Sequence, residues 1–127
     1  MKNPALPVAI VLAALSLPAL AIPARGEASY KNDVLPIIHD YCLNCHKPGG
    51  KGYEKSGLDM RSYKSLMKGT RFGSVIKPGD SFTSVIIQAV EGRLHPSIKM
   101  PYGMSGGLSK DKIELIKKWV QQGAKNN

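Results

Sequence analysis

The sequence predicts an all-α domain of about four short helices, and three observations carry that prediction. Apolar residues recur at helical spacing in four places, and each place is bounded by residues that start or stop helices. Around the chain's two cysteines there is neither a β-rich run nor the rhythm of a parallel sheet. At 127 residues the chain fits a single domain.

The first predicted helix is DVLPIIHDYC, residues 33–42, with Asp33 as its cap and Pro36 inside the first turn, where a missing N–H costs little. Val34, Ile37, Ile38 and Tyr41 form its apolar stripe. The second covers roughly Ser62 to Lys68 and stops at Gly69; it is too short to stand without packing. The third runs from Asp80 to about Val90, with Phe82, Val85, Ile86, Ala89 and Val90 on one face. The fourth has Ser109 as cap, Asp111 in its first turn, an inward face of Ile113, Ile116, Trp119 and Val120, and Gly123 as stop. Lys117 and Lys118 complement its dipole. PGGKGYEKSG and IKPGD read as glycine-rich loops that permit tight turns and close backbone approach.

Residues 1–21 read as a signal peptide. Lys2 precedes an uncharged run from Ala5 to Ile22, and Ala19-Leu20-Ala21 offers small residues for cleavage after Ala21, with Ala28 a later option. The run is borderline in length for a bilayer, so an uncleaved anchor is the competing reading. The expected domain then covers residues 29–125, and the protein works outside the cytoplasm, in the periplasm or an equivalent compartment.

YCLNCHKPGG, residues 41–50, holds the only cysteines, Cys42 and Cys45, with His46 directly after them. A disulfide here would close a loop of two residues and constrain almost nothing. A thioredoxin-like pair needs a βαβ context, and a zinc site needs more thiol or imidazole ligands than the chain supplies. Covalent haem c fits every feature: each thiol adds across one vinyl group, and His46 supplies an iron ligand from the same turn of backbone.

The candidates for the opposite iron ligand are His39, Met60, Met67, His95, Met100 and Met104. HPSIKMPYGMSGG, residues 95–107, has the make-up of a ligand loop, and Pro101 restrains the backbone of Met100 before it. Met100 is favoured, Met104 shares its loop, and His95 would give a bis-histidine iron. Met60 and Met67 read as packing residues, and methionine fills irregular gaps readily.

The helix ending in YCLNCH, then SGLDMRSY, IKPGD with its helix, KMPYG and LSKDKIELIKKWVQQGA together resemble the mono-haem class I cytochrome c superfamily. The resemblance covers about residues 30 to 125. It is strongest to small bacterial exported domains with a K-M-P distal loop and a W-V/I-x-x-G-A C-terminal helix. It implies one covalent haem with His46 proximal and Met100 distal, used to carry single electrons, and it makes Gly57, Leu58 and Asp59 a turn at the haem pocket. One departure concerns the ligand loop: relatives often carry two prolines after the methionine, where this chain has Pro101-Tyr102.

The formal charge of +9 becomes +8 once the segment through Ala21, and Lys2 with it, is removed. Lys47, Lys51, Lys55, Lys64, Lys68, Arg71 and Lys99 lie in segments expected around the haem, a rim that suits an acidic-surfaced redox partner. Nucleic acid is excluded as partner because the chain is exported, its lysines are scattered and no reading helix is present. Membrane association would come through an uncleaved N-terminus, and the protein is expected as a monomer or a subunit of a redox complex. A non-enzymatic carrier is the reading preferred over a peroxidase-like or gas-binding haem protein, which would need the distal methionine off the iron.

Overall fold

The computed structural model describes residues 26–127; the expected signal segment lies outside the described residues. Five α-helices follow one another: α1 (Leu35–Tyr41, led in by a π-helical turn Tyr30–Val34), α2 (Lys51–Ser56), α3 (Tyr63–Lys68), α4 (Val85–Glu91) and α5 (Lys110–Gln121). A 3₁₀ turn spans Pro96–Ile98. Among the described residues there is no strand, only an isolated bridge between Thr70 and Gly73.

The first helix starts earlier than the sequence suggested. Ser29, not Asp33, is the cap: its hydroxyl accepts the Asn32 N–H, while Asp33 Oδ2 accepts the Ser29 N–H at 2.8 Å. That exchange satisfies orphan donors at the helix start from both sides. The widened turn that follows bonds Val34 N–H to the Ser29 carbonyl and Leu35 N–H to that of Tyr30. Pro36, which has no N–H to give, falls directly after this wide turn.

The second element is a helix where the sequence suggested only loop. KGYEKS has low intrinsic helicity, but a bond from outside the helix holds it: Tyr53 N–H reaches the Cys45 carbonyl at 2.9 Å. Gly57, with φ of 75°, ends it in the left-handed region. α3 matches expectation, with Ser62 and Ser65 forming a reciprocal capping box.

The fourth helix begins at Val85 rather than Asp80. Asp80 accepts the Thr83 N–H and bonds the Thr83 hydroxyl, closing a turn that competes with the helix. Ser84 is fully buried; its Oγ accepts the Lys77 N–H at 2.8 Å and donates to the Asp80 carbonyl at 2.7 Å. The turn changes the helical phase, so Ile86, Ile87, Ala89 and Val90 are buried while Phe82 and Val85 face solvent.

α5 packs against both α4 and the start of α1, and this contact is the centre of the core. Tyr30 lies 5.2 Å from Tyr63, edge-on, and 5.4 Å from Trp119. Trp119 Nε1 donates to the Lys125 carbonyl and Tyr63 to that of Ala124, so both large rings bury their apolar bodies with their polar atoms satisfied. The two ends of the described chain meet here as well. The Asn127 side chain accepts the Tyr30 N–H and donates to the Ala28 carbonyl, Lys31 N–H reaches the Asn127 carbonyl, and Lys125 pairs with Glu27.

Candidate functional site

α1 delivers Cys42 as its C-cap, with the Cys42 N–H on the Ile38 carbonyl at 2.9 Å. The next turn folds back on it: Cys45 N–H and His46 N–H both reach the Cys42 carbonyl, at 3.1 and 3.0 Å. One bend of backbone therefore presents both thiols and the imidazole. Downstream segments lock it, through Tyr53 N–H on the Cys45 carbonyl and Met60 N–H on the His46 carbonyl, both 2.9 Å.

Glycine is required where α2 crosses this bend. A Cβ on Gly50 would stand 2.5 Å from the Cys45 carbonyl oxygen, and one on Gly52 would stand 2.7 Å from His46 Cε1 and 2.9 Å from Nε2. No side chain fits at either distance. The sequence offered this signal only as two glycines spaced two apart after the cysteine-histidine motif.

Neither cysteine is in a disulfide; Cys42 is half-buried and Cys45 exposed. Burial, helped by the neighbouring Cys45, pushes the Cys42 thiol up to about 11. A redox thiol pair works through a lowered pKa, so the thioredoxin-like reading fails here on chemistry as well as on fold.

His46 is one of only two buried polar residues in the described chain. Burial lowers its pKa, and the backbone carbonyl of Leu58 offsets this in part, so the ring is held neutral, the form that binds iron. Its Nδ1 is buried with no hydrogen-bond partner. A metal-bound imidazole keeps its proton on the nitrogen away from the metal and needs an acceptor there. The Leu58 carbonyl is the group that suits the role. Two free thiols, a neutral imidazole and an orphaned Nδ1 beside a carbonyl together form a donor set that fits haem c.

The candidates for the opposite ligand are placed very differently. His39 is exposed beside Asp40, and His95 is exposed with Nδ1 on the Ser97 hydroxyl at 2.8 Å. Met104 is 41% exposed. Met60 is buried and Met67 half-buried, both packed in the core. Met100 is half-buried against the core, with its N–H on the Ala89 carbonyl at 3.0 Å. Asp59 serves its turn: it accepts the Arg61 N–H and pairs with the Arg61 guanidinium, which holds its carboxyl below the usual range.

Residues 42–101, which run from the first cysteine to the proline after Met100, match the family model described as Planctomycete cytochrome C. This segment is cytochrome c-like. Its Cys42-x-x-Cys45-His46 motif is a site for covalent attachment of haem c, and its all-α build is that of a small class I cytochrome c-like fold. The matched family and the motif support an electron-carrier role. No curated protein and no solved structure matches the chain.

Proposed function

We propose that this cytochrome c-like domain carries single electrons through a haem bound by thioethers to Cys42 and Cys45, with His46 and Met100 as axial ligands. When bound, the haem iron supplies a one-electron couple whose potential a thioether ligand raises relative to a second imidazole. The observation that carries the reading is the orphaned, buried Nδ1 of a neutral His46 at the end of a Cys-x-x-Cys bend. Gly52 lets the backbone lie flush against that ring, and Met100 is the half-buried methionine of the 95–107 loop. A haem enzyme needs an acid–base group on the distal side, and both remaining histidines are turned to solvent.

The near-infrared sulfur-to-iron charge-transfer band of the oxidised protein tests the ligation. It is expected in the wild type, absent in Met100→Ala and retained in Met104→Ala. A wild type without the band refutes methionine ligation and returns the chain to the enzyme or gas-binding reading.

Export and processing complete the proposal. Cleavage after Ala21 keeps Glu27 and Ala28, whereas cleavage after Ala28 would strip the Glu27–Lys125 pair and the bond from Ala28 N–H to Gln122 Oε1. These contacts favour a mature domain that begins before Glu27, in the periplasm or an equivalent compartment, free or tethered by an uncleaved N-terminus. Lys47, Lys51, Lys55, Lys64, Lys68, Arg71 and Lys99 are all exposed, which suits an acidic-surfaced redox partner whose association weakens with salt.

A further inference from the structure

The loop that carries Met100 leaves α4 at Gly92 and returns at Gly107, just before Leu108 goes into the core. One side chain runs beside both of these hinge points. A Cβ built on Gly92 would lie 3.6 Å from Cδ and Cε of Lys99, and one built on Gly107 would lie 3.4 Å from Lys99 Cε. The methylene stem of Lys99 thus runs past both glycines, close enough that a methyl group added at either would touch it. The same side chain lines a cavity of about 390 Å³ with Val90, Glu91 and Leu108.

The charge of Lys99 has no ion pair among the described residues. Glu91 is engaged by Arg93 and Lys117, and Glu114 by Lys117. What the structure uses is the stem. Long cationic side chains commonly cover apolar surface in this way while the ammonium stays in water. Hydrogen bonds hold the loop at its start, where Arg93 reaches the Gln88 and Phe82 carbonyls, and at Met100, whose N–H reaches the Ala89 carbonyl, but among the described residues none ties its far end near Gly107 back to α4.

We propose that Lys99 is a positioning residue: its stem staples the two ends of the 92–107 loop together and so fixes the height of Met100 over the core. The proposal deepens the reading of Met100 as distal ligand, on which its spectroscopic consequence rests. Partial shielding of the stem's methylenes is expected to be worth about 1.4 kcal/mol, or about tenfold in a loop-opening equilibrium.

The test compares Lys99→Ala, which removes the stem, with Lys99→Gln, which removes the charge but keeps heavy atoms out to the Cε position. Two measurements are made on the haem-loaded protein: amide hydrogen exchange at Met100, with Val120 in α5 as core reference, and the affinity of the oxidised iron for added imidazole. The staple predicts that Lys99→Ala speeds Met100 exchange about tenfold and tightens imidazole binding by a similar factor. Val120 should be unmoved, and Lys99→Gln should stay near wild type.

Equal effects of Ala and Gln, acceleration of Val120 to the same extent, or no acceleration at Met100 would each overturn the staple. If the exchange pattern holds but the wild type has no sulfur band for imidazole to displace, the staple stands and the ligation of Met100 falls.

Discussion

The cysteine-histidine bend (residues 42–60) and the Met100 loop (residues 92–107) are held by different physics. The bend is fixed by backbone meeting backbone: carbonyls of Cys42, Cys45 and His46 are all taken up, and two glycines let α2 lie directly on them. The loop is tied at its start by Arg93, whose N–H reaches the Gln88 carbonyl and whose guanidinium reaches that of Phe82, and further on by the Met100 N–H on the Ala89 carbonyl, while Tyr102 and Met104 face solvent. A covalently attached group needs a frame that presents three atoms in fixed relation. A single thioether ligand needs only to be held at one height. The contrast implies that errors in the bend are unforgiving and errors in the loop are graded.

The largest effect should come from Gly50→Ala. Gly50 is in ordinary extended backbone, so the added methyl costs nothing in φ, but it would drive into the Cys45 carbonyl. Overpacking against backbone predicts a loss of about 3 kcal/mol, read as a lower denaturant midpoint, with reduced haem incorporation on expression. A variant of near wild-type stability would show that the bend is softer than its geometry implies.

Ser84→Ala probes the support beneath the loop, since Ser84 anchors the turn that launches α4. Loss of its hydroxyl leaves the part-buried Lys77 N–H without its acceptor, at an expected cost of about 1 kcal/mol in the same unfolding experiment. Gly103→Ala is the counterpart to the Gly50 change. Nothing lies within 4 Å of the added methyl, and only the positive φ of 76° resists it. About 1 kcal/mol is expected, with haem loading unchanged.

The smallest effect concerns pH. Burial alone would raise the Glu91 carboxyl, but Arg93 and Lys117 together outweigh it, and the group lies below its usual range. A folded-state pKa below the unfolded one stabilises the fold above the ordinary carboxylate range, and that stability is lost as pH falls through the folded value. These partners are partly exposed, so the contribution is about 0.5 kcal/mol. Thermal midpoints followed from neutral pH into the acid range should fall less steeply in Glu91→Gln than in the wild type.

The sequence made some parts of this molecule legible and hid others, for local reasons. α3 and α5 were readable because Ser62, Gly69, Ser109 and Gly123 bound them and their apolar faces keep one phase. α2 was hidden because its start is held by the Cys45 carbonyl, a group it meets through the fold rather than through propensity. The start of α4 was misread because Asp80 is a good cap in isolation, and here it caps the Thr83 turn instead. At the site, the thiols and imidazole were legible from spacing alone. The Leu58 carbonyl and the Lys99 stem were not, since a backbone acceptor and a methylene contact leave no mark in residue type.

The meeting of Ala28–Lys31 with Asn127 has a consequence for engineering. The main chain at Lys31 and Asn127 is joined by a 3.0 Å hydrogen bond, so extensions from the two ends leave from one pole of the domain. A short glycine-serine bridge from 127 to 28 would close the chain into a ring with little loss of entropy on folding. New ends could then be opened elsewhere, giving a circular permutant in which an electrode linker or reporter fusion is moved to a chosen face.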